Sequence, residues 1–169
     1  MNHICKVAAF VVAAVIVAAC SNNKFKVEGQ ISSAADSVLY FENVGLEGIN
    51  VLDSVKLGQD GSFTFSGEAP EAPDFYRLRI ADQIINVSID STETVTVKAE
   101  YPQMATQYEV SGSDNCQKIK ELALKQIVLH QQAMAIQQNS TLSVDAANDS
   151  ILSLIAAYKD DVKTNYIFK

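Results

Sequence analysis

Between residues 25 and 112 apolar and polar side chains trade places with a period of two, and turn residues interrupt the pattern at short intervals. That period puts one side of an extended chain into a core and the other into water, so it reads as half-buried strands and not as helix. Phe25, Val27 and Ile31 alternate with Lys26, Glu28 and Gln30, and Val38-Leu39-Tyr40-Phe41 is a short apolar run. Leu52, Val55 and Leu57 surround Asp53-Ser54, and Phe63 and Phe65 alternate with Thr64 and Ser66. Tyr76, Leu78 and Ile80 alternate with Arg77 and Arg79; Ile85, Val87 and Ile89, then Val95 and Val97, then Tyr108 and Val110 complete the series. Asp60-Gly61, between two such runs, offers the positive φ of a tight turn and predicts a hairpin there. Gly67 to Pro73 is a loop, because neither of its prolines can donate to a ladder. About seven to eight short strands with polar outer faces predict an antiparallel β-sandwich or barrel over residues 25–112.

The pattern changes after Gly112. Ser113-Asp114-Asn115 can cap a helix start, with Asp114 at the positive end of its dipole. Ile119, Leu122, Ala123 and Ile127 follow on one face, Asn139-Ser140-Thr141 breaks the helix, and a second helix begins near Ser143 or Val144. Ile151, Leu154, Ile155, Tyr158 and Val162 form a stripe at helical spacing. Residues 113–169 therefore read as a helical hairpin or linker, giving a mainly β chain with two C-terminal helices. The apolar pattern runs on through Tyr166, Ile167 and Phe168, so this segment is expected to dock on the sandwich or on a partner.

The first residues have a different character. After Lys6, Val7 to Ala19 is an unbroken apolar run, too short for the ~20 residues of a membrane-spanning helix but of the length of a signal-peptide core. It ends in Val17-Ala18-Ala19-Cys20, which resembles the lipobox of bacterial lipoproteins. The resemblance implies cleavage between Ala19 and Cys20 and acylation of Cys20, palmitate included. Residues 1–19 are then a lipoprotein signal peptide and 20–24 a lipidated tether. Two or three acyl chains, at ~0.8 kcal/mol per buried methylene, make a firm anchor. No Asp follows Cys20, so the expected location is the cell envelope, lipid-anchored, on the periplasmic face of the outer membrane.

Little is left for chemistry. The chain carries a formal charge of −7, one unit more negative once Lys6 leaves with the leader, which argues against nucleic acid as a partner. Of 3 cysteines and 2 histidines, only Cys116 keeps a thiol in the mature chain and only His130 keeps an imidazole. No intrachain disulfide and no CxxC cycle can be built from one thiol. Cys116 and His130 share one expected helix, ~21 Å apart along its axis, far beyond the contact a Cys–His dyad needs. No metal set, phosphate loop or nucleophile elbow is present, so neither catalytic residues nor a cofactor are assigned. Asp53 and Asp60 flank strands and read as turn chemistry.

Phe25-Lys26-Val27-Glu28-Gly29, Leu52-Asp53-Ser54-Val55, Gln59 through Gly67 and Val110-Ser111-Gly112-Ser113-Asp114-Asn115 occur in order. Together with the lipobox they resemble the β-rich N-terminal domain of unknown function of Gram-negative envelope lipoproteins. That domain commonly precedes a thioredoxin-like domain of the alkyl hydroperoxide reductase/thiol-specific antioxidant type. The resemblance implies an accessory, non-catalytic role in a periplasmic thiol-disulfide oxidoreductase, with a thioredoxin-like domain or partner protein beside it. This chain departs from the longer members: no CxxC is present, so no redox role transfers to any of its residues. The alternative reading is a stand-alone envelope binding module for peptide or glycan, with Tyr76, Arg77 and Arg79 as its candidate face.

Overall fold

The structure is a computed structural model that describes residues 23–167; Ala19, Cys20 and the leader lie outside the described residues. Eight strands run β1 (Lys24–Ser32), β2 (Val38–Gly45), β3 (Gly48–Lys56), β4 (Ser62–Glu68), β5 (Asp74–Ile80), β6 (Gln83–Ile89), β7 (Thr94–Glu100) and β8 (Tyr108–Ser111). Helices α1 (Asp114–Gln137) and α2 (Val144–Val162) follow, and α2 continues into a π-helical turn at Lys163–Ile167.

The strands form two four-stranded sheets, ordered β4-β1-β7-β8 and β3-β2-β5-β6. This is a sandwich and not a closed barrel. Alternation buries Phe25, Val27, Ile31, Phe63, Phe65, Val95 and Val97 from one sheet against Leu39, Phe41, Tyr76, Leu78, Ile85, Val87 and Ile89 from the other. At the centre Phe25 meets Tyr76 and Phe65 meets Phe41 across the two layers, each pair with ring centroids 5.2 Å apart, and Phe41 stacks on Tyr76 within one sheet at 5.3 Å. Each such pair contributes roughly 0.5–1.5 kcal/mol beyond its area.

Two expectations need correction. The pairing is antiparallel throughout except between β1 and β7, which run parallel from Lys26↔Thr94 to Ser32↔Glu100. The chain leaves the second sheet after β6 and enters the first beside β1 in the same direction. Gly29 makes this pairing feasible, because a Cβ there would lie 1.7 Å from the carbonyl oxygen of Val97.

Asp60-Gly61 is not a hairpin. β3 pairs with β2 and β4 pairs with β1, so the turn is the corner where the chain crosses between sheets. Gly61 does have a positive φ of 66°, and its N–H closes a turn on Gly58. The glycine is needed because a Cβ would lie 2.0 Å from the carbonyl oxygen of Ile31. The hairpin that does form there joins β2 to β3 through Leu46-Glu47, with Gly45 opposite Gly48.

The helices start where their caps predict. Ser113 Oγ accepts from Cys116 N–H at 3.4 Å and Ser143 Oγ from Ala146 N–H at 3.3 Å. α1 packs along β6 and β8. α2 packs on α1 in antiparallel fashion, tied by Lys125–Asp161 and by a Tyr166 hydroxyl that donates to Glu121 at 3.0 Å. The stripe Ile151, Leu154, Ile155, Tyr158 and Val162 is only half-buried by this contact.

Candidate functional site

The outer face of the β3-β2-β5-β6 sheet carries the main polar constellation of the sandwich. The register sets Glu42 of β2 opposite Arg77 of β5, and Tyr40 opposite Arg79. Side chains directly opposite on one face lie within contact distance. Both arginines converge on the Glu42 carboxylate: Arg77 Nε donates to one oxygen, while Arg79 donates to the other from Nε at 2.9 Å and Nη2 at 2.7 Å. Arg79 also lies over the Tyr40 ring, 4.5 Å from its centroid. The three side chains cover Glu42 so well that it is 2% exposed. The Arg79 hydrogen bond outweighs the cost of burial and, with Arg77, holds the Glu42 carboxyl below its usual range; Glu42 in turn holds Arg79 up.

Two guanidinium groups against one carboxylate leave a unit of positive charge on this face. Arg77 commits only Nε among the described residues. No buried side-chain nitrogen lacks a partner there, so its two Nη groups face solvent.

Tyr76 is not part of this constellation. It points to the other side of β5, buried in the core, where burial first and Asp74 second push its hydroxyl pKa up. The aromatic beside Arg77 on the outer face is Phe75, 52% exposed. Of Tyr76, Arg77 and Arg79, the structure thus brings together the two arginines only. Glu42 and Phe75 are the partners the sequence reading missed. The usable signal was alternation itself, which places positions 75, 77 and 79 on one face; Glu42, directly after the apolar run Val38–Phe41, gave no such signal.

Cys116 has a structural task. It is fully buried at the root of α1, its Sγ accepts from the Ser88 N–H at 3.3 Å, and it donates to the Ser88 carbonyl at 3.2 Å. Ser88 lies on β6, an edge strand, so the thiol satisfies two backbone groups that β5 does not reach. Burial, partly offset by the Ser113 and Ser88 hydrogen bonds, pushes the thiol pKa up, the reverse of what a reactive cysteine needs. The root of α1 is further held by Asn115 donating to Asp90 at 3.2 Å and by Lys120, 5.2 Å from the Tyr108 ring centroid. His130 is exposed on the same continuous helix, so the two cannot form a dyad.

Asp60 behaves as the turn residue expected: it accepts from Ser62 N–H at 3.2 Å and Ser62 Oγ at 2.8 Å, which holds its carboxyl low. Asp53 does not: it lies inside the edge strand β3, opposite Phe41, and accepts from Ser54 N–H at 2.7 Å. Among the described residues no group of three or more His, Cys, Asp or Glu could hold a metal ion, and no helix is long and apolar enough to cross a membrane. An open apolar groove of about 430 Å³ separates α1 from α2, lined by Leu124, Val128, Leu129, Leu154 and Tyr158 with Lys125 and Asp161 at its rim.

No curated protein matches this chain. Among solved structures, the crystal structure of an (S)-allantoin synthase is similar over 56% of this chain and 45% of its own length, at 9% identity and a TM-score of 0.39. This chain therefore spans less than half of that protein, and a likeness at that level carries no inference about activity. The family pattern described as a domain of unknown function (DUF4369) matches residues 25–119. That match runs from the first core residue of β1 through all eight strands to the second turn of α1, and the chain belongs to this family of domains of unknown function.

Proposed function

We propose that this chain is a lipid-anchored, non-catalytic module of the cell envelope, whose task is to hold a thioredoxin-like partner close to the membrane. The observation that carries the reading is the run Val17-Ala18-Ala19-Cys20 set four residues before the first strand at Lys24. Four residues reach at most ~14 Å, so an acylated Cys20 would keep the sandwich against the bilayer. The one mature thiol with a described position, Cys116, is spent on the backbone of β6, which leaves redox chemistry to a partner. The half-buried stripe of α2 offers such a partner an apolar contact.

Two measurements test this. Cells fed an alkyne-bearing palmitate should label the wild-type chain and not Cys20→Ser, which should also move to the soluble fraction; equal labelling and equal fractionation would refute the anchor. Mass spectrometry of the polypeptide and its crosslinked neighbours from native membranes should find a CxxC-bearing thioredoxin-like sequence. If only neighbours without that motif appear, the accessory role in thiol chemistry is wrong even when the anchor stands.

A further inference from the structure

The two ends of the sandwich differ. Lys24 opens β1 and stands opposite Glu68, where β4 ends. One residue further in, the Phe25 ring lies 5.2 Å from the Tyr76 ring of the other sheet, and Tyr76 stands opposite Asn43 of β2. Asn43 in turn donates to the Asp74 carboxylate at 2.8 Å. The start of β1, the start of β5 and the end of β2 therefore share one end of the sandwich, and the Leu46-Glu47 tip of the β2–β3 hairpin caps that end. The Ala81-Asp82 turn between β5 and β6 marks the opposite end.

The end that carries the N-terminal tether is apolar where it projects furthest. Leu46 is completely exposed, and Val44 and Ile49, paired just behind it, are exposed as well. Continuing the β2–β5 register one step past Asn43↔Tyr76 brings exposed Phe75 level with Val44. At ~3.4 Å per residue, Leu46 stands ~10 Å beyond the level of Asn43 and Phe25, and ~7 Å beyond Lys24. Cys20, four residues before Lys24, lies within ~14 Å of it. The reach of the tether and the projection of the tip are thus of one size, so a bilayer that held Cys20 would lie within reach of Leu46.

We infer that Leu46, backed by Val44, Ile49 and Phe75, enters the lipid leaflet that holds the acyl chains, as a second contact beside the anchor. This rests on the anchor proposed for Cys20. Position and shape favour lipid over a protein occupant. A two-residue hairpin tip is convex and offers a partner no pocket, whereas a bilayer takes in an apolar protrusion that is held against it. Side chains too few to bind a membrane from solution enter it once a tether has placed them there, because the second contact is then intramolecular. Charge selects the kind of surface. Glu47, Glu71, Asp74 and Glu93 outnumber Lys24 and Lys26 around this end, so anionic headgroups would repel it, and the contact is an apolar one with a zwitterionic leaflet. Two contacts on one end also set the orientation: the Ala81-Asp82 turn then stands roughly 25 Å farther from the bilayer than Leu46.

The test uses the full chain, purified from its native membranes and inserted into phosphatidylcholine vesicles. Leu46→Cys, and Asp82→Cys at the far end as control, carry an environment-sensitive fluorophore; the buried Cys116 thiol stays unlabelled in the folded protein. On insertion the label at 46 should shift its emission to the blue, lose quenching by aqueous iodide and gain quenching by a nitroxide borne on lipid. The label at 82 should do none of these. Because the label is itself apolar, Ile49→Cys is labelled with and without Leu46→Asp, and the shielding of position 49 from iodide should be lost when Leu46→Asp is added. The contact is overturned if the label at 46 stays as open to iodide as the label at 82, or if Leu46→Asp leaves the shielding at 49 unchanged. It is also overturned if position 46 is shielded from iodide yet beyond the reach of the lipid nitroxide, which would put protein over the tip. Flotation reads the anchor separately: a chain that floats with the vesicles while its tip stays in water keeps the anchor and loses the contact, and a chain that does not float loses both.

Discussion

Replacing Glu42 with Gln keeps the shape of the side chain and removes its charge. The wild-type carboxylate accepts from three guanidinium nitrogens: Arg77 Nε, Arg79 Nε and Arg79 Nη2. An amide offers one oxygen and turns an NH₂ group toward the other guanidinium, so at least one charge-assisted hydrogen bond is lost and a donor meets a donor. Hydrogen bonds to charged groups contribute roughly 1.5–3 kcal/mol each. The arginines can turn to water when released, since 18% and 26% of their side chains are already exposed, which keeps the loss well short of that for a sealed ion pair. The expected cost is therefore about 2–3 kcal/mol, or a fall in Tm of roughly 6–9 °C for a chain of this size. The pH dependence gives a second handle. Folding holds the Glu42 carboxyl below its ordinary value of 4.5, so the unfolded chain takes up the proton first. The stabilisation is complete above that ordinary value and is lost as pH falls through the folded one. Urea unfolding of the two proteins should differ near neutrality and converge in acid. The other carboxylates titrate alike in both and cancel in the difference. A stability difference below ~0.5 kcal/mol near neutrality, within the range of ordinary surface changes, would refute the reasoning, and so would a gap that persists in acid.

Gly29→Ala should prevent stable folding, because its Cβ would sit 1.7 Å from the Val97 carbonyl oxygen at a central strand pair; soluble yield and circular dichroism check this. A wild-type-like melt would show that β1 and β7 do not pair as described. Cys116 should resist maleimide in the folded mature chain and react on denaturation, given its burial and raised pKa. Cys116→Ala should cost about 1–3 kcal/mol in urea unfolding by stranding the Ser88 backbone groups; rapid labelling in native buffer would sink this account.

Most strands were legible because they bury one face, and alternation encodes that directly. The seven to eight strands expected are eight, with β3 exposed along nearly its whole length and so unmarked by alternation, and Ser113 and Ser143 mark both helix starts. Which strands pair was not legible. The positive φ that Gly61 provides serves a corner between sheets as well as a hairpin, and nothing local distinguishes the two. The true hairpin has Leu46-Glu47 at its tip, without the Asn-Gly or Asp-Gly pair that marks such turns. The parallel match of β1 with β7 joins residues about seventy apart, a choice made by the whole fold. At the candidate face, alternation already separates Tyr76 from Arg77 and Arg79. Glu42 was hidden because an acid at the end of an apolar run looks like a strand end. Only its distant arginines make it buried.

The attachment of α1 has a mechanical consequence. Its first turns are held by Cys116 on Ser88, Asn115 on Asp90 and Lys120 over Tyr108, while its later turns rest on α2. A helix of 24 residues is ~36 Å long at ~1.5 Å per residue, so the helical pair is a beam clamped at one end. A tilt of ~10° at the clamp would carry the far end of such a beam through ~6 Å. Stiffness of that overhang is governed by a few contacts at its root, and a single thiol among them sets how steadily the beam points.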